Sequence, residues 1–258
     1  MKMGLKNYKL VYLDTNALSE FVNNTNDFSK KLLFKFVDGN HLFVTSVFNI
    51  MELNKTQKDF KKRIKERLGI IPLGILTNIE QLYEYERQQK YIGKSLIEFA
   101  VGIKPLFDVG IDDLFSFFEV ESTKSKENHR NANIDLELLE WKNQRINNNP
   151  QWQKAFNLEL KETMLKIIGQ MSTEVDTSQL NYCYSIQVRS YIRNMFIHNS
   201  TQELKQNSII DSYNVSYLPY VDVYITEKTV GSWLETSKDK FPFIKQKEIY
   251  KISDFFEK

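Results

Sequence analysis

The spacing of apolar positions changes several times along the chain. Residues 8–13, Tyr-Lys-Leu-Val-Tyr-Leu, form a short apolar run that ends in Asp14-Thr15-Asn16. Such a run predicts a buried strand, and three good N-capping residues behind it predict the start of a helix. From Ala17 onward, Leu18, Phe21 and Val22 fall at helical spacing. Asp38-Gly39-Asn40 breaks the chain before a second short strand, His41–Thr45. Ser46 then caps a helix in which Phe48, Met51 and Glu52 lie within one turn of each other. Strand–helix–strand–helix with short connections implies parallel strands with crossover helices.

The C-terminal residues repeat this grammar. Ser208-Ile-Ile-Asp211 opens a helix reaching Tyr217, Asp222–Thr226 is a β-branched and aromatic strand, and Ile249–Ile252 is a last strand before Ser253-Asp254-Phe255-Phe256. The middle differs. Segments 79–100, 133–147, 151–171 and 180–206 are rich in Glu, Gln, Lys and Leu at 3.6-residue spacing and are expected to be helical. Lys124–Asn131 is expected as an exposed connection. The predicted class is α/β: a parallel sheet flanked by helices, from residues 1–56 plus 207–258, with an all-helical insertion over 57–206.

Composition narrows the class. The 258 residues are 41% hydrophobic and 26% charged, and 18 Phe with 13 Tyr exclude a disordered chain. Nine Gly and five Pro are too few for a turn-rich β fold. A single cysteine, Cys183, excludes an intramolecular disulfide and a Cys-rich zinc module. The N-terminal residues lack a signal-peptide apolar stretch and no long apolar run occurs, so the expectation is a cytoplasmic protein without a membrane span. Thirty-five Lys plus Arg against 33 Asp plus Glu is neutral on nucleic acid. Only the dense segment Lys58–Arg67, with Lys61, Lys62, Arg63 and Lys65, suggests a phosphate-tracking surface, against the plainer reading of a solvated helix face.

Acidic residues carry more information. Asp14 ends the first strand, Glu52 sits on the helix after the second, Asp211 begins a helix and Glu227 follows a late strand. Carboxyl ends of strands at a topological switch point open into one crevice. Each of Asp14, Glu52 and Asp211 abuts apolar residues, unlike an acid that only faces solvent. Two carboxylates about 4 Å apart repel by about 4 kcal/mol at an effective dielectric of 20, so a cluster needs a compensating cation. An oxygen-only ligand set suits Mg²⁺ or Mn²⁺, and phosphodiester hydrolysis is the natural reaction. The plainer alternative makes Asp14 and Asp211 helix caps and the two Glu surface acids.

Leu13-Asp14-Thr15-Asn16, then Thr45-Ser46-Val-Phe-Asn-Ile-Met-Glu52-Leu53, resembles the first two motifs of PIN-domain nucleases. Asp211-Ser-Tyr-Asn-Val-Ser, followed by Ile225-Thr226-Glu227-Lys228, is similar to the last two, as is the strand running into Ser253–Phe256. The likeness covers residues 8–56 and 207–258. It implies a metal-dependent endoribonuclease with Asp14, Glu52 and Asp211 as metal ligands and Asn16 and Thr226 in support. The fourth acid departs from the pattern: the family often has Asp where this chain has Lys228, so Glu227 is preferred and Asp222 is the alternate. Lys228 joins the basic segment as a substrate contact. RNA, an inhibitor or antitoxin protein, and a second copy of the chain are the expected partners; a toxin or phage-defence setting would suit such an enzyme.

Two rival readings accompany this one. Arg193-Asn194-Met-Phe-Ile-His198 is similar to the Arg-Asn-xxx-His signature of HEPN ribonucleases, which implies metal-free cleavage with His198 as acid or base. In the structural reading, Tyr191, Ile192, Met195 and Phe196 pack inside while Arg193 and His198 lie at the surface or approach substrate phosphate. The other rival is a catalytically inactive PIN-like module that binds RNA or protein. Among aromatics, Tyr182, Tyr184, Tyr191 and Phe115–Phe118 read chiefly as core, and Trp141 and Trp152 as the better exposed candidates for base stacking.

Overall fold

The computed structural model describes residues 8–23, 27–36, 40–68, 71–88, 96–101, 113, 115–116, 124–146, 181–199 and 201–256. Six strands build one sheet: β1 (Lys9–Leu13), β2 (His41–Ser46), β3 (Leu73–Leu76), β4 (Ile97–Val101), β5 (Val223–Thr226) and β6 (Glu248–Lys251). Their spatial order is β4-β3-β2-β1-β5-β6. All pairs are parallel except β3–β4, which makes the sheet mixed rather than wholly parallel. Antiparallel edge strands of this kind are common on doubly wound sheets.

Alternation along the strands decides which helices lie where. Val11, Leu13, Phe43 and Ile225 face one side and pack with α1 (Thr15–Asn23), α2 (Asp27–Phe36), α3 (Val47–Thr56) and α4 (Phe60–Leu68). Tyr12, Val44 and Tyr224 face the other side. There they meet α5 (Ile79–Arg87), α6 (Lys124–Ile146), α7 (Tyr184–His198), α8 (Gln206–Asn214) and α9 (Lys228–Ser237). Tyr12 stacks on Tyr217 and Tyr224, with ring centroids 5.4 and 4.9 Å away. Both faces are therefore covered, as a mainly parallel sheet requires.

The sheet does not stop at residue 56, so the all-helical insertion over 57–206 is corrected. β3 and β4 lie inside that range, and segment 79–100 divides into α5 and β4. Leu73-Gly74-Ile75-Leu76 is buried at every position, and four uniformly apolar residues carry no period that separates strand from helix. Lys124–Asn131, expected as a connection, forms the first turns of α6. Segment 151–171, Trp152 and residues 147–150 lie outside the described residues.

Trp141 is a second correction: it is wholly buried, not an exposed stacking platform. Ile134, Leu138 and Trp141 recur at helical spacing and turn one face of α6 into the core, where Trp141 meets Phe196 at 6.1 Å. Arg145, one turn on, donates to the carbonyls of Phe196, Ile197 and Gln202, capping the C-terminal end of α7. Tyr191 and Phe115 are core residues as expected, and Tyr182 is exposed. No helix among the described residues is long and apolar enough to cross a membrane.

Candidate active site

β1 is the point where the strand order reverses. The chain steps from β1 to β2 and β3 on one side, then returns to place β5 and β6 on the other. The crevice between the carboxyl ends of β1 and β5 is thus the switch point at which such sheets bind ligands. Leu13 pairs with Ile225, and the Asp14 N–H donates to the Ile225 carbonyl at 3.3 Å. Asp14 leaves β1 and Glu227 leaves β5 at this edge. Glu52 comes from α3 and Asp211 from α8.

Asp14 is buried, and its Oδ1 accepts the Ala17 N–H at 2.8 Å. It therefore caps α1 as the plainer sequence reading holds, yet a cap uses only part of a carboxylate's hydrogen-bonding capacity. Burial pushes the Asp14 carboxyl up to about 6; donors at Ala17, Thr226 and Glu227 pull it back, and the Glu227 charge raises it. Asp211 is held well above the usual carboxylate range, first by burial and then by the charges of Asp14, Glu227 and Glu52. Burial also raises Glu52 and Glu227, with the Thr15 hydroxyl opposing the effect at Glu52. Among the described residues none of the four forms an ion pair with Lys or Arg. Four acids from four elements share one electrostatic environment, and among the described residues no Lys or Arg is paired with them.

This donor set is oxygen throughout, the chemistry that favours a hard divalent ion. The spacing is looser than the chemistry: among the described residues no three His, Cys, Asp or Glu side chains are close enough to hold one ion. Both glutamates are half-buried.

The supporting residues differ from expectation. Asn16 is exposed and makes no hydrogen bond to the acids; the neighbouring Thr15 does, donating to Glu52 Oε2 at 2.9 Å. On α1 Asn16, two residues after the Asp14 cap, points outward, while Thr15 faces α3. The Thr226 side chain hydrogen-bonds Asp14. Asp222 lies at the opposite end of β5, where its Oδ2 accepts the Leu10 N–H at 2.8 Å. It is a backbone anchor and not a fourth acid. Asp222→Ala is expected to leave cleavage within about threefold while costing about 1–3 kcal/mol, because the Leu10 donor loses its partner; a urea melt beside a nuclease assay checks both.

Lys228 is exposed at the start of α9, next to Glu227. In α4, Lys62 is exposed and the Lys61 nitrogen sits 4.9 Å from the Phe115 ring centre. Arg63 donates to Gln57 Oε1 at 3.2 Å and to the Lys58 carbonyl, while Gln57 in turn donates to Ser19, one turn along α1 from Thr15. Lys61, Lys62, Arg63 and Lys65 are not joined to the carboxylates.

Sequence patterning missed Asn49. It is fully buried on α3, one turn before Glu52, and bonds to Thr15, Tyr12, Leu13 and Thr45. Its three-residue spacing from Glu52 was the available signal.

Arg193 is also corrected: it is buried, not at the surface. Its guanidinium donates to Gln144 at 2.9 Å and Glu140 at 3.4 Å and lies 5.7 Å from the Trp141 ring centre, fastening α7 to α6. Arg189 repeats the device nearer the site. It lies 3.7 Å over the Tyr213 ring and donates to Glu137, which also accepts the Tyr213 hydroxyl, so α6 and α7 grip the helix that carries Asp211.

No family model, curated protein or solved structure matches this chain.

Proposed function

We propose that this chain is a divalent-cation-dependent nuclease of the PIN type that hydrolyses RNA phosphodiester bonds. The observation that supports the reading is that the charges of Asp14, Glu227 and Glu52 all act on Asp211 beside the β1/β5 switch point, with none of the four paired to Lys or Arg among the described residues. A fold that desolvates several acids together stores repulsion, which a bound cation removes. Asp14, Glu52 and Asp211 would hold Mg²⁺ or Mn²⁺, with Glu227 as the fourth acid. Such an ion offsets charge on the phosphate and lowers the pKa of water. Thr226 steadies Asp14, and Lys228 offers a positive charge to a phosphate beside the acids.

Cleavage of single-stranded RNA should be abolished by EDTA, restored by Mn²⁺ and lost in Asp14→Asn. Cutting that survives EDTA would sink the proposal. His198→Ala should leave cleavage within about twofold, since the Arg193 guanidinium required by the metal-free alternative is already engaged by Glu140 and Gln144. The loose spacing of the acids favours one rival, an inactive module that binds RNA without cutting it. RNA binding with no cleavage in any divalent ion would select that rival.

A further inference from the structure

We propose that Glu86 is a proton-dependent latch between α5 and α7: protonated, its side chain clasps the first turn of α7 to the last turn of α5, and loss of the proton loosens the clasp. The latch requires neither a metal nor the cleavage reaction. Glu86 is 2% exposed. Its Oε1 accepts the Ser185 N–H at 2.8 Å and also the Tyr220 hydroxyl. The first turn of α7 brings no side-chain cap of its own. Cys183, at the capping position, makes no capping hydrogen bond, and the Ser185 hydroxyl donates instead to the Ser216 carbonyl at 2.6 Å. One carboxyl oxygen from α5 therefore joins α7 to the 3₁₀ segment Val215–Tyr220. The other, Oε2, is buried without a hydrogen-bond partner.

The unpartnered oxygen decides which form of the acid fits. A neutral carboxyl carries its proton on Oε2 while Oε1 keeps both donors; a carboxylate leaves charge on a desolvated oxygen that no donor reaches. Among the described residues no Lys or Arg pairs with Glu86. Arg87, its neighbour on α5, donates to Glu84 at 2.7 and 2.8 Å, and Arg189 of α7 is engaged by Tyr83, Tyr213 and Glu137. The other titratable groups facing Glu86 are the Tyr220 hydroxyl and the Cys183 thiol, which burial pushes up to about 12. Helix dipoles oppose each other here, since Glu86 lies at the negative end of α5 and the positive end of α7. Burial prevails: it raises Glu86 to about 7 against the pull of donors at Tyr220, Ser185 and Tyr184. The clasp is therefore complete below the ordinary 4.5 and is lost as pH rises through about 7. Loosening it frees the start of the helix whose Arg189 and Arg193 hold α6 and whose Arg189 also holds Tyr213 of α8.

The test is hydrogen exchange at the Ser185 amide, followed by NMR on the intact chain in EDTA from pH 5 to pH 8 and corrected for the intrinsic rate. Wild type is compared with Glu86→Gln, which keeps the Oε1 acceptor and removes the charge. In the wild type, the opening that exposes this amide should rise by about tenfold or more between pH 5 and pH 7 and level off near pH 8. In Glu86→Gln that excess should be absent. The crevice carboxylates titrate in both proteins, so the difference between them belongs to Glu86. Tyr220→Phe removes a donor that favours the charged form, and should extend the rise to higher pH. An increase equal at every pH, as a purely structural contact gives, overturns the inference. So do equal rises in wild type and Glu86→Gln, or a wild-type Glu86 carboxyl carbon that titrates at the ordinary 4.5. If Glu86→Gln does not fold, that carboxyl titration decides alone.

Discussion

Asp211→Asn is expected to abolish cleavage and, in the same protein, to raise the melting temperature measured in EDTA. The two effects have one cause. Asp211 is pushed up by burial and by the charges of Asp14, Glu227 and Glu52, and no hydrogen bond opposes the push. Asparagine keeps the shape, removes the charge and ends the repulsion. Loss of a ligand should cost about a thousandfold in rate, the several kcal/mol a metal contributes by offsetting charge at the phosphate. For a chain of this size each kcal/mol gained appears as roughly 2–4 °C. Asp14 would be a poorer choice, since its carboxylate also caps α1. A fall in melting temperature in Asp211→Asn would show that the acid stabilises the metal-free fold, and the argument from stored repulsion would be lost.

In EDTA, stability should fall as pH rises through about 6, and Mn²⁺ should reverse the trend. The sign follows from the direction of the shifts. An acid whose folded pKa lies above its unfolded value holds a proton in the folded state that the unfolded chain has already released. Its stabilising contribution is complete below the unfolded value and is lost as pH climbs past the folded one. For Asp14 the window runs from the ordinary 3.8 to about 6, and Asp211 extends it upward. A shift of that size in Asp14 corresponds to a loss of about 3 kcal/mol across the window. A divalent ion binds only deprotonated ligands, so its stabilising effect should grow from pH 5 to pH 8. Glu86 shares the window. It is raised to about 7 by burial, although it accepts the Ser185 N–H at 2.8 Å and the Tyr220 hydroxyl. The comparison of wild type with Asp211→Asn isolates the crevice, because Glu86 is common to both. Thermal melts with EDTA and with Mn²⁺ across pH 5–8 supply the data; a flat EDTA profile would contradict the assignment.

Much of this crevice was visible in the chain. Capping residues placed directly after apolar runs located Asp14 and Glu227, because the end of a strand and the start of a helix each leave a local signature. Glu52 and Asp211 were marked by apolar neighbours on helices that pack one face inward. Less was visible wherever a residue's role depends on what faces it. Arg193 resembled a catalytic arginine until Glu140 and Gln144 from α6 were seen to hold it. Asp222, kept as an alternate acid although at the other end of its strand, proved to be held there by the Leu10 N–H. Trp141 became core through Phe196, and Asn49 became a hub through β1 and α8.

By itself the sequence determined the α/β class, most of the helices and the covered sheet, and it singled out four acids as candidates, since each follows from local capping and from short-range periodicity. The tertiary structure decided that β3 and β4 belong to the same sheet, that Thr15 rather than Asn16 holds Glu52, and that four distant acids come to repel one another. Pairing partners and electrostatic neighbours are set by contacts between residues far apart in the chain, and no local pattern encodes those.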